Sequence, residues 1–320
     1  MILVISNKDD LTTDFIIHKL SSAQIPFYRL NTEDLFSTVN INFDFGNNKF
    51  KIIDTALQKN IDIQNDVKSI YLRRPILPNL EQFNISKNEK SFIEKEIYYV
   101  LEGLYSVLRN KFWISNPNRI RQAENKILQL QIAKELGFNV PHTLLTNIKK
   151  DTLNFIDSNS AVIKPIKSGL VAENKESLDL IYTRKINKEM VLANSSQFPL
   201  YIQEEIKNKT DIRVTVVGDK VFAAEIDYHN SDIIDWRAVE NNQIKYKTTI
   251  LPNKVSELCV QLLKRLKLEF GAIDLAKNQN NSYYFFEINP NGQWAWLDKE
   301  LDINIAQEIV NVLINGGLND

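Results

Sequence analysis

Residues 283–298 read Tyr283-Tyr284-Phe285-Phe286-Glu287-Ile288-Asn289-Pro290-Asn291-Gly292-Gln293-Trp294-Ala295-Trp296-Leu297-Asp298. The aromatic run up to Asn289 has the composition of a β-strand, and Pro290 closes it because proline has no N–H for the ladder. Side chains alternate along a strand, so Glu287 and Asn289 share one face and Ile288 takes the other. Upstream, Phe270-Gly-Ala-Ile-Asp-Leu-Ala276 reads as a second strand with a single acid, Asp274, and Lys277–Ser282 has the polar chemistry of a turn. A hairpin built from the two lays Asp274 beside Glu287 and Asn289. Two acids and an amide are hard oxygen ligands of the kind Mg²⁺ takes. A sheet edge with solvated polar residues is the plainer alternative. It ranks second, because an unpaired charge in an otherwise apolar strand is costly.

The 320 residues suffice for two or three regions with cores of their own. The chain is 43% hydrophobic and 25% charged, as soluble globular proteins are, and its net charge of −1 gives no general attraction to nucleic acid or to an anionic membrane. The single cysteine, Cys259, excludes an intramolecular disulfide and fits a reducing compartment. Its neighbours Leu258, Val260 and Leu262 mark it as a core residue rather than a nucleophile. Met1–Ser6 is too short for a signal peptide, and no stretch approaches a membrane span, so a cytoplasmic protein is expected. His18, His142 and His229 lack metal-ligand spacing.

The order of elements is that of an α/β protein. Ile2–Ser6 is a buried strand, Thr12–Ala23 a helix, and Asn40–Phe45 with Lys49–Ile53 a hairpin. Val67–Leu72 is a strand ending in Arg73-Arg74-Pro75. Two adjacent arginines on a strand face opposite ways, so at most one faces a site, and a solvated loop is the alternative. A helix over Asn88–Asn110 has Phe92, Ile93, Glu96, Ile97, Val100, Leu101, Leu104 and Leu108 on its inner face. A second helix over Arg121–Leu136, closed by Gly137, carries Lys126, which alone is an ordinary surface lysine. Lys164 interrupts the apolar strand Ala161–Lys164, and either snorkels or aims at an anion. Leu200–Ile206 is a strand ending in acids. Thr210–Val217 and Lys220–Asp227 make the clearest hairpin, with Asp211 and Arg213 on one face, where a cross-strand ion pair is the plain reading. Asp235-Trp236-Arg237 repeats the Asp-x-Arg spacing in a loop, and helices over Asn253–Leu268 and Asn304–Ile314 complete the order.

Asp274 followed by Glu287-Ile288-Asn289-Pro290-Asn291-Gly292 resembles the metal-binding end of the ATP-grasp ligases. Gln293-Trp294-Ala295-Trp296-Leu297-Asp298 is similar to the subgroup that matures ribosomal peptides, the graspetide (microviridin-type) maturases. The resemblance implies an α/β ATP-grasp fold with a pre-ATP-grasp domain over residues 1–112, a central lobe over 113–200 and a C-terminal lobe with the metal site over 201–320. It implies ATP and Mg²⁺ as cofactors, with Asp274, Glu287 and Asn289 as metal ligands and Lys126 and Lys164 on the phosphates. Gln203, Glu204, Glu205 and Ile206 match the hinge where backbone groups read adenine, and Asp211 joins the nucleotide set. Arg213, Arg237 and Arg74 match arginines that contact phosphate or substrate carboxylate. The glycine-rich loop of the wider family is reduced here to Ser168-Gly169, which puts that loop's role in question.

The implied reaction phosphorylates an Asp or Glu side chain of a precursor peptide. A Ser/Thr hydroxyl or Lys amine of the same peptide then closes an ester or amide macrocycle. Three readings stay open: this macrocyclase, an ATP-grasp ligase acting on free amino acids or adding glutamates to a protein C-terminus, and a silent nucleotide- or peptide-binding module. The joint presence of Lys126, Lys164, Asp274, Glu287 and Asn289 counts against the last. The expected partner is a precursor peptide of leader plus core, with neither nucleic acid nor membrane involved and a homodimer left open. The Val214–Asp227 hairpin, apolar on both faces, is the expected leader-docking surface, unless helices cover it.

Overall fold

The computed structural model describes residues 1–167, 170–174, 177–193, 198–228, 233–239 and 243–316, with backbone alone for 170–174 and 177–180. It opens with β1 (Ile2–Ser6), α1 (Leu11–Ser22), β2 (Phe27–Asn31), β3 (Val39–Asp44), β4 (Lys49–Asp54) and β5 (Lys59–Asp62). Then come α2 (Ile63–Asp66), β6 (Ser69–Leu72), α3 (Lys87–Val107), β7 (Phe112–Ile114) and α4 (Pro117–Ala123). Strands β2, β1, β6 and β7 form a parallel sheet in that order, and β3, β4 and β5 an antiparallel one. β1 is a near-continuous apolar run because both its faces are covered. Leu3 and Ile5 share a core with Leu101 and Leu104 of α3, whereas Ile2 and Val4 share one with Ile16 and Leu20 of α1. On α3 the expected inner face holds from Ile97 onward. Phe92 is 64% exposed and Glu96 faces water, because the first turns of the helix extend past the core.

The expected helix over Arg121–Leu136 is two helices. α4 ends at Ala123, and α5 (Lys126–Leu136) restarts behind Asn125, whose side chain accepts from the Ile127 and Leu128 N–H groups. Such a side-chain bond competes with continuation of the preceding helix. The break makes Lys126 the first residue of a helix, at its positive end. Gly137 closes α5 with φ of 94°, as the sequence predicts.

Beyond α5 lie β8 (Thr143–Thr146), α6 (Lys149–Ser158), β9 (Ala161–Lys164), β10 (Leu170–Asn174), β11 (Ser177–Leu180), β12 (Arg184–Lys185), α7 (Lys188–Ala193) and β13 (Leu200–Glu204). Strands β12, β9, β13 and β8 form an antiparallel sheet, and β10 pairs with β11. The last part holds β14 (Thr210–Val217), β15 (Lys220–Asp227), β16 (Lys245–Thr248), α8 (Asn253–Leu266), β17 (Phe270–Lys277), β18 (Tyr283–Asn289), α9 (Ala295–Leu301) and α10 (Ile305–Gly316). Its antiparallel sheet runs β16-β15-β14-β17-β18. α10 packs on β14 and also on α1, β6 and β7, so the end of the chain ties this sheet to the N-terminal one.

The β14–β15 hairpin, expected as a leader-docking surface, is interior. Val214 and Val216 share a core with Leu262 and Leu263 of α8, whereas Val217 and Ala224 share one with Ile309 and Leu313 of α10. Each face has its own helical layer. The apolar residues on both sides are therefore already covered, and the expectation fails.

Candidate functional site

A cleft of about 990 Å³ opens between the β9–β13 sheet and the β14–β18 sheet. Its walls include Lys126, Lys164, Gln203, Glu204, Glu205, Ile206, Asp211, Arg237, Asp274 and Glu287, so most of the residues singled out in the sequence meet here. Strand register aligns the carboxylates. Arg213 on β14 pairs with Asp274 on β17, which pairs in turn with Glu287 on β18, and Asn289 lies opposite Ala272. The hairpin read from the sequence thus exists with the register it needs.

Each acid of this row meets a cation. Arg213 Nη1 donates to Asp274 Oδ1 at 2.8 Å, so the expected cross-strand ion pair is formed with the neighbouring acid on β17. Lys126 Nζ lies 2.8 Å from Glu287 Oε2, and Arg237 Nη1 lies 3.8 Å from Glu287 Oε1. Burial raises the Asp274 carboxyl above its ordinary range despite Arg213. Burial pushes the same way at Glu287, but Lys126 and Arg237 outweigh it and keep that carboxyl low. Asn289 is exposed, and its Oδ1 accepts from the Asn291 N–H at 3.0 Å. Two carboxylates and an amide oxygen at the end of two paired strands fit a hard divalent cation by donor type.

The lysines come from different elements. Lys126 also donates to the Pro165 carbonyl at 3.0 Å, which spans the cleft. Lys164 donates to Gln203 Oε1 at 2.7 Å, and its ammonium sits 4.3 Å from the centroid of the Phe286 ring. Desolvation lowers its pKa from 10.5 to about 8, with Glu287 opposing and Lys126 reinforcing the shift. Gln203 is buried, and its Nε2 donates to Thr143 Oγ1 at 2.8 Å. The carboxylates of Glu204 and Glu205 turn to the protein, accepting from the His142 N–H at 3.4 Å and the Ser160 hydroxyl at 2.6 Å. Asp211 accepts from Tyr228 at 2.7 Å and from Lys209.

Arg237 is held by Asp235 through two bonds of 2.8 Å, from Nε and Nη2. Asp235 is largely buried, yet this guanidinium and the Thr183 N–H hold its pKa at about 2. Arg74 does not line this cleft. Its side chain is exposed, and it is Arg73 that turns inward, 1% exposed. Arg73 donates to Gly292 O at 3.0 Å and Asn291 O at 3.3 Å, with Asp10 3.0 Å from its Nε. It therefore grips the turn that follows the row of acids. Sequence reasoning also missed Lys209, although its spacing of two from Asp211 was the signal. Ser168-Gly169 lies outside the described residues. Among the described residues lining the cleft there is no serine, cysteine or histidine, and Cys259 is buried in the core with its thiol pushed up to about 12 by desolvation.

No helix among the described residues is long and apolar enough to cross a membrane. Residues 1–121 match the model of the MvdD pre-ATP grasp domain, and residues 123–313 that of the RimK-like ATP-grasp domain. The chain is 26% identical over 210 residues to a tetrahydromethanopterin:α-L-glutamate ligase of Methanocaldococcus jannaschii, across 63% of this chain and 69% of that protein. Another curated relative is matched over 65% of its own length. Among solved structures, the macrocyclase MdnC of Microcystis aeruginosa MRC, bound with precursor peptide MdnA, shares the fold with a TM-score of 0.85 and 23% identity, over 98% of this chain and 99% of that one. A Chryseobacterium gregarium RiPP-associated ATP-grasp ligase, solved with ADP and a leader and core peptide, gives 0.88 and 24%, over 98% and 96%. With its register-matched acids, its cation-lined cleft and a family match over residues 123–313, the chain belongs to the RimK-like ATP-grasp family, with an N-terminal pre-ATP-grasp domain.

Proposed function

We propose that the protein is a graspetide-type macrocyclase. It activates an Asp or Glu side chain of a precursor peptide with ATP and closes an ester or amide bond to a Ser/Thr or Lys side chain of the same peptide. One observation carries this reading. Asp274 and Glu287, paired in register with each other and Asp274 with Arg213, line one cleft with Lys126 and Lys164, and no serine, cysteine or histidine lines that cleft among the described residues. Such a site can position and neutralise phosphates, which suits phosphoryl transfer between bound substrates.

Lys126 and Lys164 hold the phosphates by charge-assisted hydrogen bonds. Asp274, Glu287 and Asn289 would hold Mg²⁺, which would supply charge neutralisation at the transferring phosphoryl group. Arg237, fixed on Asp235 and half-exposed to the cleft, orients the peptide carboxylate, and Arg213 holds Asp274 aligned. A peptide carboxylate oxygen attacks the γ-phosphorus and ADP leaves. The hydroxyl or amine then attacks the acyl carbon, phosphate leaves, and the nucleophile gives up its proton. The likeness to solved enzymes that hold precursor peptides favours a peptide substrate. A second reading, ligation of free glutamate, is favoured by the curated α-L-glutamate ligases among the relatives.

The test uses a synthetic leader-plus-core peptide with Ser/Thr, Lys and Asp/Glu in its core, its carboxylates labelled with heavy oxygen. Transfer of label to inorganic phosphate together with loss of water from the peptide is expected. Glutamate added to a protein or cofactor, with the peptide unchanged, would favour the second reading instead.

A further inference from the structure

Gln129 lies in α5, one turn beyond Lys126, and is 2% exposed. A buried amide is tolerated when its donors and acceptor are used. Those of Gln129 are spent on backbone. The Ile288 N–H donates to Gln129 Oε1 at 3.0 Å, and Gln129 Nε2 donates back to the Ile288 carbonyl at 2.8 Å. Nε2 also donates to the Ala123 carbonyl at 2.7 Å, at the end of α4. The side chain pairs with Ile288 as an adjacent strand would, along the outer edge of β18, the last strand of its sheet. Ile288 sits between Glu287 and Asn289. On the same helix face, three residues earlier, Lys126 reaches Glu287 at 2.8 Å.

We propose that Gln129 is a positioning residue of the ligase reaction. Its amide locks the start of α5 against the end of β18, and so sets the phosphate-side Lys126 against the metal-side Glu287. Packing alone could be met by leucine or methionine. Three directed hydrogen bonds fix in addition the height and rotation of the helix relative to the strand, which the 2.8 Å contact between Lys126 and Glu287 requires. Replacing Gln129 therefore lets the two halves of the site drift apart without removing any group that touches a substrate. The inference rests on reading Glu287 as a Mg²⁺ ligand.

The test compares Q129M, Q129E and E287Q with the parent. It measures thermal melting, ADP affinity by calorimetry with Mg²⁺ and with chelator, and turnover of the precursor peptide. Q129M is expected to fold and to bind ADP normally in chelator. Its Mg²⁺-dependent gain in affinity and its kcat should fall roughly 10–100-fold, the range found for outer partners that orient metal ligands. Q129E keeps an acceptor for the Ile288 N–H but turns a carboxylate oxygen toward the Ile288 and Ala123 carbonyls, and should lose at least as much as Q129M. Wild-type Mg²⁺ dependence and kcat in a folded Q129M, with E287Q inactive, would overturn the role of Gln129 alone. Wild-type behaviour of E287Q would overturn the reading of Glu287 itself. If Q129M fails to fold, a folded Q129E with wild-type values overturns the proposal just as well.

Discussion

Lys164 offers a quantitative check, because its stability and binding effects run in opposite directions. The ammonium is withdrawn from bulk water on the floor of the cleft, against the face of Phe286 and one acceptor, Gln203. Its pKa falls from 10.5 in the unfolded chain to about 8, mainly by desolvation. At roughly 1.4 kcal/mol per pKa unit, the charged form costs the folded state up to about 3 kcal/mol. The sign follows from proton counts. Between pH 8 and 10.5 the unfolded chain binds more protons at this site than the folded one, so stability rises with pH through that window. K164M removes the term. Denaturant unfolding of parent and K164M below pH 8 and near pH 10.5 should show the parent gaining up to about 3 kcal/mol relative to the variant, with the other alkaline titrations cancelling in the difference. The lost contact to Gln203 offsets both measurements equally. The same substitution should weaken nucleotide binding by roughly 1.5–3 kcal/mol, the value of a charge-assisted hydrogen bond. A pH-independent stability difference together with unchanged ADP affinity would refute the placement of Lys164 as a desolvated phosphate lysine.

Replacing Arg73 with Met leaves Asp10 buried without its cation, and should cost about 3–5 kcal/mol in a denaturant melt, whereas Arg74→Ala should stay within about 0.5 kcal/mol of the parent. Gly292→Ala puts a methyl 2.5 Å from the Ala272 Cβ and 2.9 Å from Arg213 Nη2, so melting should drop by about 1–3 kcal/mol and turnover should fall with it. Cys259, with a thiol near 12, should resist alkylation at neutral pH until the chain is unfolded, as mass spectrometry of labelled protein would record.

The acidic hairpin was legible because its information is local. Strand alternation and a turn rich in asparagine bring the two strands together without reference to the rest of the chain. Asp274 meets Glu287, however, only through a register shift between Asp274 and Leu275; the register leading out of the turn would set Asp274 opposite Phe286. The hydrophobic periodicity of α3 was legible only in part, since periodicity marks a face but not how far along the helix a core extends, and Phe92 lies beyond that point. The choice between Arg73 and Arg74 depends on which side of the β6 end meets the turn at 290–292, a contact across more than 200 residues that no local pattern encodes. The β14–β15 hairpin misled for a similar reason. Apolar residues on both faces signal either an exposed patch or two covering layers, and only the packing of α8 and α10 decides between them. Gln129 gave no signal at all, because a glutamine in an amphipathic helix reads as surface until its strand partner is known.

On the proposed function, this cleft uses ATP to close bonds within a peptide. Mass spectrometry of a synthetic leader-plus-core peptide, its core rich in Ser/Thr, Lys and Asp/Glu, after incubation with ATP, Mg²⁺ and either the parent protein or E287Q tests it most directly. The parent should remove one water per ring, with one ADP formed for each, while folded E287Q leaves the peptide intact. ADP formation with no loss of water from the peptide, or equal dehydration by E287Q, would contradict the claim.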